Sequence, residues 1–175
     1  MKKTITTLII ALLLMNTAIF SQTTFKEYKA GHVFNISLPE YMNKTAGLNN
    51  AATIQFKNVI KDVAGFVIED NKEELKLAEI NYTSINEYYE DIIKDFAKDE
   101  EKRAVSEPKS KKIGETNFME TDVSYYDKES KISIYYFVGL VETPSAFYKI
   151  FSWGTLENKD KFKADFQKIL YSLKD

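Results

Sequence analysis

An α+β fold, an antiparallel sheet of about six or seven strands with helices docked on it, follows from three features of the sequence. Two segments repeat apolar residues at helical spacing. Seven others read as strands, and most of the connections between them are so short that the strands must be antiparallel neighbours. The 175 residues include no cysteine and are 44% hydrophobic, so one core held together by burial alone must supply the stability.

Taken in order, the chain opens with Lys2 and Lys3, an apolar run from Ile5 to Met15 interrupted by Thr6 and Thr7, and a small or polar stretch to Ser21 and Gln22. Basic, then apolar, then small is the order of a secretory leader, and the run is roughly half the ~20 residues a bilayer anchor needs. Residues 1–21 are therefore expected to be a signal peptide, with residues 22–175 forming a single domain. No cysteine is available for lipoprotein acylation, which leaves a soluble periplasmic or extracellular product without a membrane span. Loss of Lys2 and Lys3 leaves 22 basic residues of the original 24 against 26 acidic ones, so no general attraction to nucleic acid is expected.

Strands are expected at Phe25 to Ala30 and His32 to Leu38, joined at Gly31, then at Thr53 to Ile60 and Val63 to Glu69, joined at Lys61 and Asp62. A short helical turn from Lys72 to Leu77 follows, capped by Asp70 or Asn71. Ile85, Tyr88, Tyr89, Ile92, Ile93 and Phe96 then form one apolar helical stripe, opened by a capping box of Ser84 and Glu87. Lys102 to Lys112, lysine-rich and containing Pro108, suits a loop or an edge strand whose charges discourage edge-to-edge pairing. The next strands are Asn117 to Tyr126, Ile132 to Val141 and Ala146 to Trp153, with turns at Asp127 to Lys131 and Thr143 to Ser145. Phe162, Phe166, Ile169, Leu170 and Leu173 mark a closing helix with Asn158 as its expected cap and Lys159, Lys161, Lys163 and Lys168 on its wet side.

Alternation sorts the Asn117 to Val141 hairpin into two faces. Met119, Val123, Tyr125, Ile132, Ile134, Tyr136, Val138 and Leu140 form a core surface. The opposite face is mixed, and either a helix covers it or it is open for recognition. On the second reading Phe118, Tyr126, Tyr135 and Phe137, flanked by Glu120 and Asp122, are the candidate partner-binding residues.

Most catalytic chemistry lacks its parts. His32 is the sole histidine, sits at a hairpin bend and has no Gly-x-Ser-x-Gly elbow to serve. Zinc needs three or four His, Cys or carboxylate ligands, and no HExxH pattern is present. Glu69, Asp70, Asn71, Glu73 and Glu74, like Asp99 to Glu101, miss the calcium-loop spacing and read as solvated turns. The glycines form no phosphate-binding loop, so no metal and no cofactor is expected. Lys102, Arg103, Lys109, Lys111 and Lys112 read as a solvated basic stretch rather than a phosphate contact. Glu120 and Asp122 project from one face about 7 Å apart, a separation that acid/base pairs of glycosidases also use.

Gly31 to Pro39, Ala52 to Asn58, Gly65 to Leu75, and Phe147 to Trp153 before a helix ending Tyr171-Ser172-Leu173-Lys174 resemble the Mog1/PsbP-like fold of PsbP-related and DcrB-like bacterial envelope proteins. The resemblance spans nearly all of the chain after the leader and rests on packing and turn residues. It implies an α/β/α sandwich, helices on both faces of the sheet, that acts mainly by binding. Together these readings give an expected non-enzymatic binding or accessory protein of the bacterial cell envelope with a protein partner. Two alternatives stay open: a carrier of a small apolar ligand between helix and sheet, and a carboxylate-dependent hydrolase using Glu120 and Asp122.

Overall fold

Hydrophobic alternation at period two dominates the chain after residue 100, and the longest strands form there. The computed structural model describes residues 23–175; the leader assigned to residues 1–21 lies outside them. Its strands are β1 (Phe25–Ala30), β2 (Phe34–Pro39), β3 (Asn43–Lys44), β4 (Ile54–Asn58), β5 (Val63–Asn71), β6 (Glu101–Val105), β7 (Lys109–Ile113), β8 (Thr116–Asp127), β9 (Ile132–Glu142) and β10 (Ala146–Thr155). The helices are α1 (Lys72–Leu77), α2 (Ile85–Asp95) and α3 (Lys159–Tyr171).

Eight strands form an antiparallel sheet in the order β3-β4-β5-β10-β9-β8-β6, with β7 also pairing β8. The lysine-rich stretch supplies both strands along the outer edge of β8, where Lys109, Lys111 and Lys112 are exposed. The last strand in sequence, β10, takes the centre between β5 and β9.

The first hairpin does not join this sheet. β1 and β2 form a two-stranded ribbon of their own, and the inward side chains of β2, Phe34, Ile36 and Leu38, are buried against the face that α3 covers. The ribbon is tied to the chain beyond α3: Asn35 N donates to Lys174 O at 2.8 Å, Lys174 N returns a bond to Asn35 O at 3.0 Å, and Ser37 N donates to Ser172 Oγ at 2.8 Å. His32 stands exposed in the bend with φ of 61°.

Caps set the helix starts. Asn71 Oδ1 accepts from Glu73 N at 2.8 Å and Glu74 N at 3.3 Å, and Ser84 Oγ accepts from Glu87 N at 3.3 Å. The Glu87 carboxylate reaches back to Thr83 N at 2.7 Å, one residue before the cap. Asn158 departs from expectation. A 3-10 turn over residues 156–158 runs straight into α3, so Asn158 is not extended and its amide instead donates to Thr155 Oγ1 at 2.8 Å.

Two cores result, one on each side of the sheet. The larger lies between the sheet, α3 and the β1–β2 ribbon. The smaller lies under α2 and gathers Ile85, Tyr88, Met119, Val123, Val138, Leu140, Phe147 and Phe151.

Candidate binding surface

The β8–β9 register pairs Phe118 with Val141, Glu120 with Gly139 and Asp122 with Phe137, which puts Phe118, Glu120, Asp122, Tyr126, Tyr135 and Phe137 on one face, as alternation requires. That face is the seat of α3. Phe118, Tyr135 and Phe137 are buried, and Phe166 of the helix lies 6.4 Å from the Tyr135 ring and 6.5 Å from the Phe137 ring. At Gly139 the helix comes so near that an added Cβ would fall 2.8 Å from Leu170 Cδ1.

Both carboxylates are engaged by a stripe of α3 residues spaced four apart. Asp122 accepts from Lys163 Nζ at 2.6 Å and Tyr135 OH at 2.8 Å, and pairs with Lys159 Nζ at 2.8 Å. Glu120 accepts from Gln167 Nε2 at 2.7 Å and Tyr171 OH at 3.0 Å. Of the two readings of this face, cover by a helix is the one found, and its candidate partner-binding residues are corrected accordingly: Phe118, Tyr135 and Phe137 are core, Glu120 and Asp122 hold the helix, and half-buried Tyr126 carries Lys102 Nζ 5.1 Å from its ring centre. Alternation decides which side chains share a face but is silent on what lies over it. Glu120 and Asp122 also line a cleft of about 200 Å³ with Ser106, Glu107 and Lys109, but the acid/base pair of the hydrolase reading is taken up by donors from α3 and Tyr135. The apolar-carrier reading meets a space filled by Phe137, Phe166 and Leu170.

Burial raises the Asp122 carboxyl, but the hydrogen bonds from Lys159, Lys163 and Tyr135 outweigh it and hold the group below the ordinary aspartate range. The unfolded chain then binds a proton more readily than the native one. This stabilisation is complete above the unfolded carboxyl value of about 4 and disappears as pH falls through the lower native value. Asp122→Asn is expected to cost about 2 kcal/mol at neutral pH and to flatten the acid side of the stability curve. Urea denaturation followed from neutral pH down to about pH 3 checks both; an unchanged acid slope would mean that Asp122 is not the group titrating.

The opposite face is only partly covered. Eleven-residue α2 is about 16 Å long, whereas eleven-residue β9 extends about 36 Å. The helix shields the half of the face where Tyr88 stacks on Phe147 at 4.6 Å and donates its hydroxyl to Asp70 Oδ2 at 2.5 Å. Beyond it a row of half-buried rings crosses four strands: Tyr125 (β8), Tyr136 (β9), Trp153 (β10) and Phe66 (β5). Successive ring centres are 6.0, 5.4 and 5.7 Å apart, the first two pairs stacked and the last edge-on. Phe96, just past α2, meets Tyr136 edge-on at 5.0 Å and closes one side of the row.

At the same end of the sheet a cleft of about 500 Å³ is lined by Ile132, Ser133, Thr155, Leu156 and Glu157. Ile132 and Leu156 are 39% and 37% exposed there, and the β4–β5 turn at this end presents Val59 and Ile60, 77% and 96% exposed. Burial pushes the Tyr125 hydroxyl up, and the carboxylates of Glu100 and Asp127 add to the shift. Sequence reasoning put Tyr125 and Tyr136 on a core face and did not single out Phe66 or Trp153. The legible sign was the mismatch between a three-turn helix and strands of ten or more residues.

No family model matches the sequence, and no curated protein sequence does. Solved structures match in fold. PsbP (CyanoP) from Synechocystis sp. PCC 6803 superposes with a TM-score of 0.59 at 10% identity, covering 91% of this chain and 96% of that one. LpqN, described as involved in cell envelope biogenesis of Mycobacterium tuberculosis, gives 0.58 at 8% identity, covering 87% and 90%. The fold is thus the PsbP/Mog1-like one that the opening hairpin and the terminal helix resemble, with an antiparallel sheet and helices on both of its faces.

Proposed function

We propose that this chain is an exported accessory protein of the bacterial cell envelope that works by holding a protein partner on the row Tyr125-Tyr136-Trp153-Phe66 and the adjoining cleft. The observation that carries this reading is the row itself: four rings on four neighbouring strands, Tyr136 directly opposite Trp153 and Tyr125 and Phe66 diagonal to them, left half-open by the helix that covers the rest of their face. Rigid aromatic groups on a sheet give a large contact area at little entropic cost, which is how interface anchors are built. The basic, apolar, small order of residues 1–21 and the envelope role in LpqN's description support the location. No described helix is long and apolar enough to cross a membrane.

The test compares the protein with a Tyr136→Ala, Trp153→Ala double variant in affinity capture from envelope extracts of its host. A partner retained by the parent and lost by the variant is the expected result, each truncated anchor costing about 2 kcal/mol, or roughly thirtyfold in affinity. Identical partner lists, with the variant still folded by circular dichroism, would remove the row from consideration.

A further inference from the structure

The lysines of this protein settle on its aromatic rings. Ten of them lie with Nζ 4.6 to 5.9 Å from a ring centre, on Phe25, Tyr28, Tyr41, Tyr88, Tyr126, Tyr135, Phe147, Phe162 and Tyr171. Among the described residues, none lies over Phe66, Tyr125, Tyr136 or Trp153. Lys57 on β4 and Lys131 in the β8–β9 turn share this end of the sheet, yet neither lies over a ring. Arg103 is spent on backbone, its Nε donating to Phe96 O at 2.9 Å and its Nη2 to Ile93 O at 2.5 Å.

Carboxylates stand beside the row together with Lys57 and Lys131. Asp127 follows Tyr125 by two on β8 and so shares its face, Glu100 precedes Glu101, the partner of Tyr126, and Glu157 lines the cleft beside Ile132 and Leu156; Asp127 also accepts from Glu129 N at 3.0 Å and Ser130 Oγ at 2.5 Å in its turn. Glu100 and Glu157 are exposed, and Lys128, the cation next to Asp127 in sequence, pairs instead with Glu101 at 3.0 Å. Electron-rich ring faces without a cation of their own, edged by carboxylates, attract a positive group from outside. The apolar cleft wall suits the methylene stem that carries such a group.

Building on the reading of the row as a docking surface, we propose that it receives lysine or arginine side chains of a partner protein. The cationic heads meet the parts of the rings left open at the ends of the stack, on the side of Glu100 and Asp127, and the stems lie along Ile132 and Leu156 towards Glu157.

Trp153 is the only tryptophan of the chain, so its emission reports on the row directly. The purified protein is titrated with an acetylated, amidated peptide alternating leucine and arginine, with the same peptide carrying citrulline for arginine, and with its leucine–glutamate counterpart. The arginine peptide is expected to shift Trp153 emission saturably, the citrulline peptide to bind at least tenfold more weakly, and the glutamate peptide not to bind. The combined change Glu100→Gln, Asp127→Asn and Glu157→Gln should bring the tenfold preference below threefold in a protein that still folds by circular dichroism. Equal binding of the arginine and citrulline peptides would overturn the cationic assignment while leaving the row as a docking surface. So would failure of every peptide where capture still depends on Tyr136 and Trp153. Failure of every peptide together with unchanged capture by the double variant would overturn both. Self-association of the protein that Trp153→Phe abolishes would assign the row to a second copy instead.

Discussion

Phe166→Ala is expected to cost about 3–5 kcal/mol and to lower the thermal midpoint by about 10–15 °C. The ring is fully buried between α3 and the sheet and meets Tyr135, Phe137 and Phe162 at centre distances of 6.4, 6.5 and 6.3 Å. Its removal leaves a void that the strands cannot close, because β9 is held on both sides by β8 and β10. The effect should reach the β1–β2 ribbon, whose inward residues share that core. Chemical and thermal denaturation measure the loss, and a value under about 1 kcal/mol would mean that the helix is not seated as described.

Gly65→Ala should be nearly as damaging for a different reason. Phe56 lies across Gly65 on the neighbouring strand, and an added Cβ would fall 2.4 Å from its Cε2 and 2.6 Å from the Phe151 carbonyl oxygen. The ring is fully buried, and the oxygen belongs to the strand beside it, so neither yields without loosening the sheet. A cost of about 3 kcal/mol is expected. Gly47→Ala is the control: its Cβ meets nothing within 4 Å, although φ is +85°, and only the backbone penalty of about 1 kcal/mol applies. Equal losses for the two variants would remove the steric account of Gly65.

The elements and the pairing inside the long hairpin were legible because local rules decide them. Asn71 and Ser84 cap where capping residues should, and strict alternation from Phe118 to Val141 gives the observed register. Which face lay open was not legible, because both carry aromatic and aliphatic side chains and the answer depends on partners distant in sequence. A clue was nonetheless present: Lys159, Lys163, Gln167 and Tyr171 recur at intervals of four, a donor stripe matched to the acceptors Glu120 and Asp122. Read together, they place the helix on the acidic face and leave Tyr125, Tyr136 and Trp153 half-buried on the other. The separate ribbon of β1 and β2 was hidden for the same reason, since its edge contact, Asn35 to Lys174, joins the two extremes of the described chain.

That clasp also governs timing. With β10 at the middle of the sheet and residues 159–174 needed to close over both the sheet and the first hairpin, little of the larger core can consolidate before those segments are in place. Native contacts this remote along the chain are slow to form, because the loop-closure entropy is spent before any packing repays it. The larger core therefore closes late in folding, after the sheet on which α3 and the ribbon settle has been paired.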